Sequence, residues 1–247
     1  MSRWIEGRVI DNRRWTSQLY SLKIDAPVGP FKAGQFTRLG LDIDGERVGR
    51  PYSFVNAPHE RYVEIYSITV PAGPLSNRLF HLTAGDEVWL APKGAGFFTL
   101  SEVPHGEYLW MLSTGTALGP FLAILKTGEP WARFRKIVLA HAVRTAEELT
   151  YQDTIRELMT AHPEQLTYIP FVSREDTDFA IQGRVPPAIE DGRLEARAGI
   201  VLTADDSQVM LCGNPAMVGD TSDVLEARGL KKNKRKEKGH ITTENYW

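Results

Sequence analysis

Apolar and polar residues follow two different rhythms along the chain. In the first part, up to about Leu100, short runs that alternate between apolar and polar residues are separated by Gly and Pro. A period of two is typical of strands that bury one face, and closely spaced strands of this kind indicate an antiparallel barrel or sandwich. A short helix is predicted at 75–82, because Pro74 suits a helix N-terminus. The clearest predicted strands are 34–41, 51–56, 62–70 and 87–91.

From Tyr108 onward, continuous apolar runs replace the alternation, and segments with helical periodicity lie between them. Buried strands that alternate with helices predict βαβ units and a mostly parallel sheet. We therefore expect an N-terminal antiparallel β-barrel domain, residues 1–100, and a C-terminal α/β domain with a parallel sheet, residues 101–247. The predicted strands of the second domain are 109–112, 137–140, 166–172 and 209–212, and its clearest helices are 147–160 and 216–227.

Composition excludes several classes of protein. Of the 247 residues, 42% are apolar and 24% are charged, which is typical of a folded domain rather than a disordered chain. The one cysteine, Cys212, excludes an intrachain disulfide and any site that needs four thiolates. The N-terminus lacks the apolar segment of a secretory signal, and no stretch approaches the ~20 apolar residues that cross a membrane. We therefore expect a cytoplasmic protein, and the spacing of the histidines predicts no metal site.

The segment Arg50-Pro51-Tyr52-Ser53 carries candidate binding chemistry. An arginine can neutralise a pyrophosphate through paired N–H donors. Tyr52 lies two residues further along a predicted strand, so it points to the same face as Arg50, where its ring can cover a flat ligand. Ser53 offers a hydroxyl donor to a ring nitrogen. An ordinary strand with a surface arginine would also explain these residues.

A second segment, Gly73-Pro74-Leu75-Ser76, directly precedes the predicted helix, whose N-terminus offers free N–H groups and a positive dipole end to a phosphate. Together with Gly34-Gln35-Phe36, these segments have the order and spacing of the ferredoxin–NADP reductase family. The sequence resembles the bacterial branch of that family over essentially its full length. The resemblance implies an FAD-binding barrel, an NADP-binding α/β domain, and flavin contacts from Arg50, Pro51, Tyr52, Ser53, Gly73, Leu75 and Ser76.

The segment 114–120, Thr-Gly-Thr-Ala-Leu-Gly-Pro, follows an apolar strand and opens a helix. Its glycines let the backbone approach a phosphate closely, although the Gly-x-Gly-x-x-Gly spacing of a Rossmann fingerprint is absent. The family resemblance implies that Gly115 and Thr116 bind NADP and that Thr116 also lies near the FAD. A tight strand-to-helix turn would use the same glycines.

Three arginines, Arg144, Arg174 and Arg184, lie just beyond predicted strands or in the loops after them. Because strand-end loops gather at one edge of a parallel sheet, the three guanidinium groups are expected to converge. Such a cluster suits the 2′-phosphate of NADPH, whereas an NAD enzyme places an acidic residue on that ribose, and none directly follows 138–141. We therefore predict NADPH, in agreement with the resemblance, although surface solubility would explain any one of these arginines alone.

The segment Cys212-Gly213-Asn214 closes a predicted strand and opens a helix. The resemblance implies that it lies at the nicotinamide ring, with Gly213 and Asn214 binding NADP and Cys212 beside the reacting carbon. A polarisable sulfur packs well against an aromatic ring, so we expect Cys212 to position that ring and not to act as a nucleophile. A small buried hydrophobic side chain is the alternative interpretation.

Two aromatic residues, Tyr246 and Trp247, end the chain. Chain ends normally fray, so two terminal rings predict a docked tail. The resemblance implies that this tail covers the flavin side of the active site. We assign Tyr246, with Ser53 and Cys212, to the catalytic residues and Trp247 to the adenine of FAD; a flexible apolar end is the alternative.

The segment Lys231–Lys238 is basic at six of its residues, in a chain whose net charge is −2. A basic patch attracts an acidic partner and raises its association rate. Ferredoxins and flavodoxins are usually acidic, so this segment is a candidate docking face on a chain that we expect to be monomeric. A nucleic-acid-binding tail lacks support because no aromatic residues are interleaved, and a merely solvated run is the other alternative.

The predicted function is transfer of hydride from NADPH to FAD, followed by release of single electrons to ferredoxin or flavodoxin. The same two domains would also suit the reductase component of an oxygenase, or a reductase of ferric chelates. A regulatory module that binds flavin and nucleotide without turnover is the alternative from a different class. Reduction of the flavin by NADPH would exclude that last alternative.

Overall fold

The computed structural model of the chain describes residues 3–71 and 73–246. These residues form two compact units. The first takes in the chain up to Thr99 together with Leu122–Thr127, and the second takes in Leu100–Phe121 and the chain from Gly128 onward. Each of the two sheets has six strands.

Antiparallel strands build the first unit, and they follow the order β4-β3-β6-β1-β2-β5. Phe54, directly after β4, forms an isolated bridge to Ile65 of β5, so the two ends of this order meet without a continuous ladder. The sheet is therefore barrel-like rather than a fully closed barrel, which confirms the predicted antiparallel half and corrects its closure. The elements are β1 (Ile5–Arg14), β2 (Leu19–Asp25), β3 (Phe36–Ile43), β4 (Glu46–Ser53), β5 (Val63–Ile68), α1 (Pro74–Phe80) and β6 (Glu87–Leu90).

The core of the first unit follows from the alternation of its strands. Leu22, Leu39 and Leu90 are fully buried on the inner side of the sheet, and Leu79 of α1 packs into the same cluster. Burying a leucine side chain contributes about 1.5–3 kcal/mol, so this inward-facing set stabilises the curved sheet and the register of the strands that carry it.

Parallel strands build the second unit, in the order β10-β9-β8-β7-β11-β12, and every pair of neighbours runs in the same direction. This confirms the predicted parallel α/β half. Its strands are β7 (Tyr108–Thr114), β8 (Lys136–Val143), β9 (Leu166–Val172), β10 (Ile181–Gln182), β11 (Ser207–Gly213) and β12 (Ile241–Asn245). The remaining helices of the chain are α2 (Leu118–Leu125), α3 (Glu129–Arg133), α4 (Gln152–Ala161), α5 (Val185–Glu190), α6 (Arg193–Ala198) and α7 (Pro215–Ala227).

Two features of the second unit differ from the sequence-based expectation. The helix predicted at 147–160 is interrupted: a 3-10 turn at Ala146–Glu148 is followed by Tyr151 in the left-handed region (φ 57°), and only then does α4 begin. A left-handed residue cannot continue a right-handed helix. The second feature is β12, whose sequence Ile-Thr-Thr-Glu-Asn is too polar to signal a strand without its partner β11.

In the part of the chain that the structure describes, no helix is both long and apolar enough to cross a membrane.

Candidate functional site

The segment Arg50–Ser53 of the first unit lies at the end of β4. Within it, Ser53 pairs with Phe36 and Pro51 pairs with Arg38 of β3. Proline lacks an N–H donor and is tolerated at such a sheet end, where the ladder is incomplete. The Arg50 guanidinium is exposed and, among the described residues, donates only to the neighbouring Gly49 carbonyl, with Nη1 2.9 Å from the oxygen. Its remaining N–H groups are therefore available to an anion.

Ser53 is buried, with 8% of its surface exposed, and its hydroxyl has no hydrogen-bond partner among the described residues. The hydroxyl oxygen itself is not among the fully buried polar atoms that lack a partner, so it remains open to water or to a ligand. The fit is to a ligand that brings a hydrogen-bonding atom to this point, as a flavin ring nitrogen would.

Tyr52 is half-buried between these two residues. Burial raises the pKa of its phenol to about 12, while a hydrogen bond with Ser67 and the charge of Arg50 oppose that rise. The phenol is therefore neutral at physiological pH, and its ring can lie against an uncharged aromatic ligand without bringing a charge with it.

The loop before α1 is held by its own side chains. Gly73 donates its N–H to the Val70 carbonyl (2.8 Å), and the buried hydroxyl of Ser76 accepts the Val70 N–H (3.0 Å). Leu75 is buried in the core, and Tyr20 donates its hydroxyl to the Ser76 carbonyl (3.0 Å). The loop that the sequence predicts to bind a phosphate is thus fixed in place by the barrel.

In the second unit, the predicted nucleotide-binding residues lie at one edge of the sheet. Gly115 follows β7 and has a positive φ of 54°, and a 3-10 turn at Gly115–Ala117 leads into α2. Thr116 is buried, with 5% of its surface exposed, and its hydroxyl has no partner among the described residues. Like the Ser53 hydroxyl, it is not among the fully buried polar atoms that lack a partner, so it remains open to water or to a ligand.

The loop after β11 packs directly against the end of β7. A Cβ atom at Gly213 (φ 139°) would lie 2.1 Å from the Thr114 hydroxyl oxygen, so only glycine fits there. The same oxygen accepts the Asn214 N–H (2.9 Å), and the Asn214 side chain in turn accepts the Ala216 N–H at the start of α7 (2.9 Å). The backbone of this loop therefore approaches the backbone of β7 closely.

The three arginines follow β8, β9 and β10, which are neighbours in the sheet. Arg174 donates its N–H to the Arg144 carbonyl (2.8 Å), and Arg184 directly precedes α5. All three side chains are exposed, and none forms an ion pair with another described residue. The nearby carboxylate of Glu148 accepts the Arg144 backbone N–H (2.9 Å).

A residue that sequence reasoning missed, Glu244, lies beside Cys212, because β12 pairs with β11 in that register. Burial raises the pKa of Glu244 to about 7, and its Oε2 atom is buried without a hydrogen-bond partner among the described residues. In the sequence, the only pointer to Glu244 is that it lies two residues before Tyr246, a predicted site residue. The carboxyl group can therefore hold or release a proton near neutral pH.

Cys212 is fully buried, and its pKa is raised well above the ordinary value, first by burial and then by the charge of Glu244. A hydrogen bond with Tyr246 lowers it in part. The thiol is therefore neutral, as a packing role requires and a nucleophilic role does not. Tyr246 is anchored through its N–H to the Gly213 carbonyl (2.9 Å); Trp247 lies outside the described residues.

The basic segment Lys231–Lys238 is an ordered turn. Asn233 donates to the Glu102 carbonyl (2.8 Å) and to the Thr242 hydroxyl (3.1 Å). The backbones of Lys234 and Glu237 form a β-bridge. Lys232 and Lys238 form ion pairs with Glu226 and Glu102. The other four cations of the turn are exposed and have no ion pair within the described part of the chain: Lys231, Lys234, Arg235 and Lys236.

No group of three or more His, Cys, Asp or Glu side chains among the described residues is arranged to hold a metal ion.

Comparison with known proteins agrees with this geometry. A family model described as an oxidoreductase NAD-binding domain matches residues 111–223. A flavodoxin/ferredoxin–NADP reductase of Escherichia coli (strain K12) is 49% identical, with 100% of both chains covered. A ferredoxin–NADP reductase of Pseudomonas aeruginosa is 37% identical over 94% of this chain and 92% of its own. The crystal structure of a ferredoxin NADP⁺ reductase from Neisseria gonorrhoeae with bound FAD and NADP has a TM-score of 0.95 at 30% identity, covering 100% of both chains.

Proposed function

The chain belongs to the family of bacterial flavodoxin/ferredoxin–NADP reductases, and on this premise we propose that it transfers hydride from NADPH to FAD and passes single electrons to ferredoxin or flavodoxin. The observation that carries the proposal is the gathering of residues at one edge of the second sheet. Three sets of residues lie at the carboxyl ends of parallel strands. They are the nucleotide loop (114–120), the three arginines (Arg144, Arg174 and Arg184) and the cluster of Cys212, Glu244 and Tyr246. Ligands of open α/β sheets bind at that edge.

FAD fits the residues of the first unit, because Arg50 has free donors and the Ser53 hydroxyl lacks a partner there. We assign to its binding the segment Arg50–Ser53, the loop residues Gly73, Leu75 and Ser76, and Thr116 and Trp247. When bound, FAD accepts a hydride as an electron pair and gives electrons up one at a time. Arg50 would neutralise the pyrophosphate, and Tyr52, which stays neutral, would cover the ring.

NADPH fits the carboxyl edge of the second sheet. Gly115, Thr116, Gly213 and Asn214 would hold the phosphates and the nicotinamide ring, because the glycines allow close approach and the Thr116 hydroxyl is free. Cys212 would pack its neutral sulfur against the ring, with Tyr246 holding the thiol through their hydrogen bond. Glu244, whose pKa lies at about 7, would hold a proton at its Oε2 atom beside this cluster.

We further propose that the enzyme prefers NADPH to NADH, because Arg144, Arg174 and Arg184 keep free guanidinium groups for a 2′-phosphate. Three positive charges at neighbouring strand ends suit a 2′-phosphate better than the two ribose hydroxyls of NADH. The unpaired cations of the basic turn would attract an acidic electron carrier, and we propose that the chain docks this carrier as a monomer.

The test uses the purified protein with its flavin. NADPH added without oxygen is expected to bleach the visible flavin absorption, and oxidised ferredoxin or flavodoxin is expected to restore it. NADH at the same concentration is expected to bleach the flavin far more slowly. Turnover with a ferric chelate is measured beside the two carriers. A preparation that stays colourless after incubation with FAD would overturn the proposal, and so would faster turnover with the ferric chelate than with either carrier.

A further inference from the structure

A fully buried histidine, His141, lies on β8 next to the nucleotide loop. No part of it is exposed, its Nε2 atom is 3.0 Å from the Gly115 carbonyl oxygen, and its Nδ1 atom is buried without a partner among the described residues. Burial lowers the pKa of the ring to about 4, so the ring is neutral and carries one proton. Because the carbonyl can only accept, that proton must be on Nε2.

The carbonyl that His141 holds belongs to a turn whose direction matters. Gly115 has a positive φ of 54°, and its oxygen also accepts the Leu118 N–H at the start of α2. The next peptide bond is trans, like all described peptide bonds, so the Thr116 N–H points away from the Gly115 oxygen. Holding the oxygen towards His141 therefore turns the Thr116 N–H away from the imidazole.

The Nδ1 atom of His141, which is buried without a partner among the described residues, argues against a role in which the ring only fills space. An apolar side chain would fill the same volume and leave no unpaired Nδ1 atom, whose burial costs free energy. The hydrogen bond to Gly115 is what an apolar side chain could not supply.

His141 also shares a row with the predicted nicotinamide cluster. In the register of the parallel sheet, Glu244 lies beside Cys212, Cys212 beside Ser113, and Ser113 beside His141. Residues side by side in a parallel sheet point to the same face. Of the arginines, Arg144 follows the same strand as His141, whereas Arg174 and Arg184 follow β9 and β10, on the side of β8 away from this row.

We propose that His141 is a positioning residue: it fixes the Gly115 carbonyl so that Thr116 faces the nicotinamide half of NADP. This inference rests on the proposed function, since it assumes that the loop binds NADP. It assigns the 2′-phosphate half to the arginines alone.

The test compares two ligands on the flavin-loaded enzyme. NADP⁺ contains both halves, whereas adenosine 2′,5′-bisphosphate carries the 2′-phosphate without the nicotinamide half. The dissociation constants of both are measured by calorimetry for the wild type, His141→Leu and His141→Gln. Leucine removes the donor, and glutamine can restore one near the position of Nε2. His105→Leu, at an exposed histidine, is the matched control.

For His141→Leu, NADP⁺ binding is expected to weaken about three- to tenfold, the worth of one hydrogen bond. Binding of the bisphosphate is expected to stay within about twofold, and His141→Gln is expected to recover at least part of the NADP⁺ affinity. Equal weakening of both ligands, or no weakening of NADP⁺, would overturn the inference. A wild-type enzyme that binds neither ligand would instead contradict the proposed function.

Discussion

Among the arginines of this chain, those at the edge of the second sheet differ from the structural ones. Arg47 is paired with Asp42, Arg133 donates to backbone carbonyls and Glu129, and Arg228 is paired with Glu195. Arg144 and Arg184 have no such partner among the described residues. A guanidinium group without a partner keeps its full donor capacity for a phosphate, which is why we assign these residues to a ligand and not to stability.

The double change Arg144→Ala and Arg184→Ala tests this assignment. The kcat/KM for NADPH is expected to fall about ten- to hundredfold, because charge-assisted hydrogen bonds to the 2′-phosphate are lost. The value for NADH is expected to change little. Arg61→Ala, at an exposed arginine of the first unit, is the matched control. An NADPH preference that survives the double change would show that the 2′-phosphate binds elsewhere.

The buried carboxyl of Glu244 predicts that this residue lowers the free energy of unfolding by an amount that depends on pH. In the folded protein its pKa is about 7, against an ordinary value of 4.5. Below pH 4.5 both the folded and unfolded states hold the proton, so there is no cost. As the pH rises from 4.5 to 7, only the unfolded state ionises readily, so the wild type loses stability, and above pH 7 the full cost remains.

Glu244→Gln stays neutral at every pH. Its free energy of unfolding relative to that of the wild type is therefore expected to rise by on the order of 1–2 kcal/mol between about pH 5 and about pH 8. Urea unfolding at both pH values measures the difference. Glu46→Gln, at an exposed glutamate, is expected to show no such trend. A constant difference between Glu244→Gln and the wild type across this range would contradict the raised pKa.

At the scale of elements, local sequence signals predicted most strands but only some of their ends. Strand β9 and helix α7 lie almost where their apolar patterns place them, because both patterns are long and uninterrupted. The helix predicted at 147–160 begins late because Tyr151 is left-handed, and tyrosine gives no sequence signal for that conformation. Element ends therefore depend on single backbone angles that periodicity does not report.

The loop after β11 gives a prediction at this scale. In Gly213→Ala, the new Cβ would collide with the Thr114 hydroxyl, so the loop must move away from β7. We expect a loss of about 2 kcal/mol or more in stability, together with a higher KM for NADPH. Urea unfolding and steady-state kinetics measure both effects.

The matched control is Gly199→Ala, at a glycine that also has a positive φ, 68°, but no atom within 4 Å of a new Cβ. It is expected to lose about 1 kcal/mol, from backbone strain alone, without a change in KM. Equal losses in the two variants would mean that strain, and not the contact with Thr114, makes glycine necessary at 213.

At the scale of the whole molecule, charge is unevenly distributed although the net charge is only −2. The basic turn presents Lys231, Lys234, Arg235 and Lys236 without ion pairs among the described residues. Exposed charges steer an oppositely charged partner over roughly a Debye length, about 8–10 Å at physiological salt.

Arg235→Glu tests this steering. The rate of electron delivery to an acidic ferredoxin or flavodoxin is expected to fall several-fold at low salt, and added salt is expected to remove the difference. Delivery to ferricyanide, a small acceptor that needs no docking surface, is the internal reference. Arg61→Glu makes the same charge change elsewhere and is expected to have a smaller effect. Equal effects of the two variants would assign the loss to net charge and not to the turn.

The sequence by itself determined the class of each half of the chain. Alternation gave antiparallel strands, continuous apolar runs gave a parallel sheet, and Arg50-Pro51-Tyr52-Ser53 marked the family. These signals are local, because periodicity and turn chemistry are set by residues a few positions apart.

Only the tertiary structure placed Glu244 beside Cys212, brought Arg174 into contact with Arg144, and set His141 against the Gly115 carbonyl. Each of these contacts joins segments that are distant along the chain. Their register is decided when strands pair and pack over the whole sheet, and a local pattern carries no information about that choice.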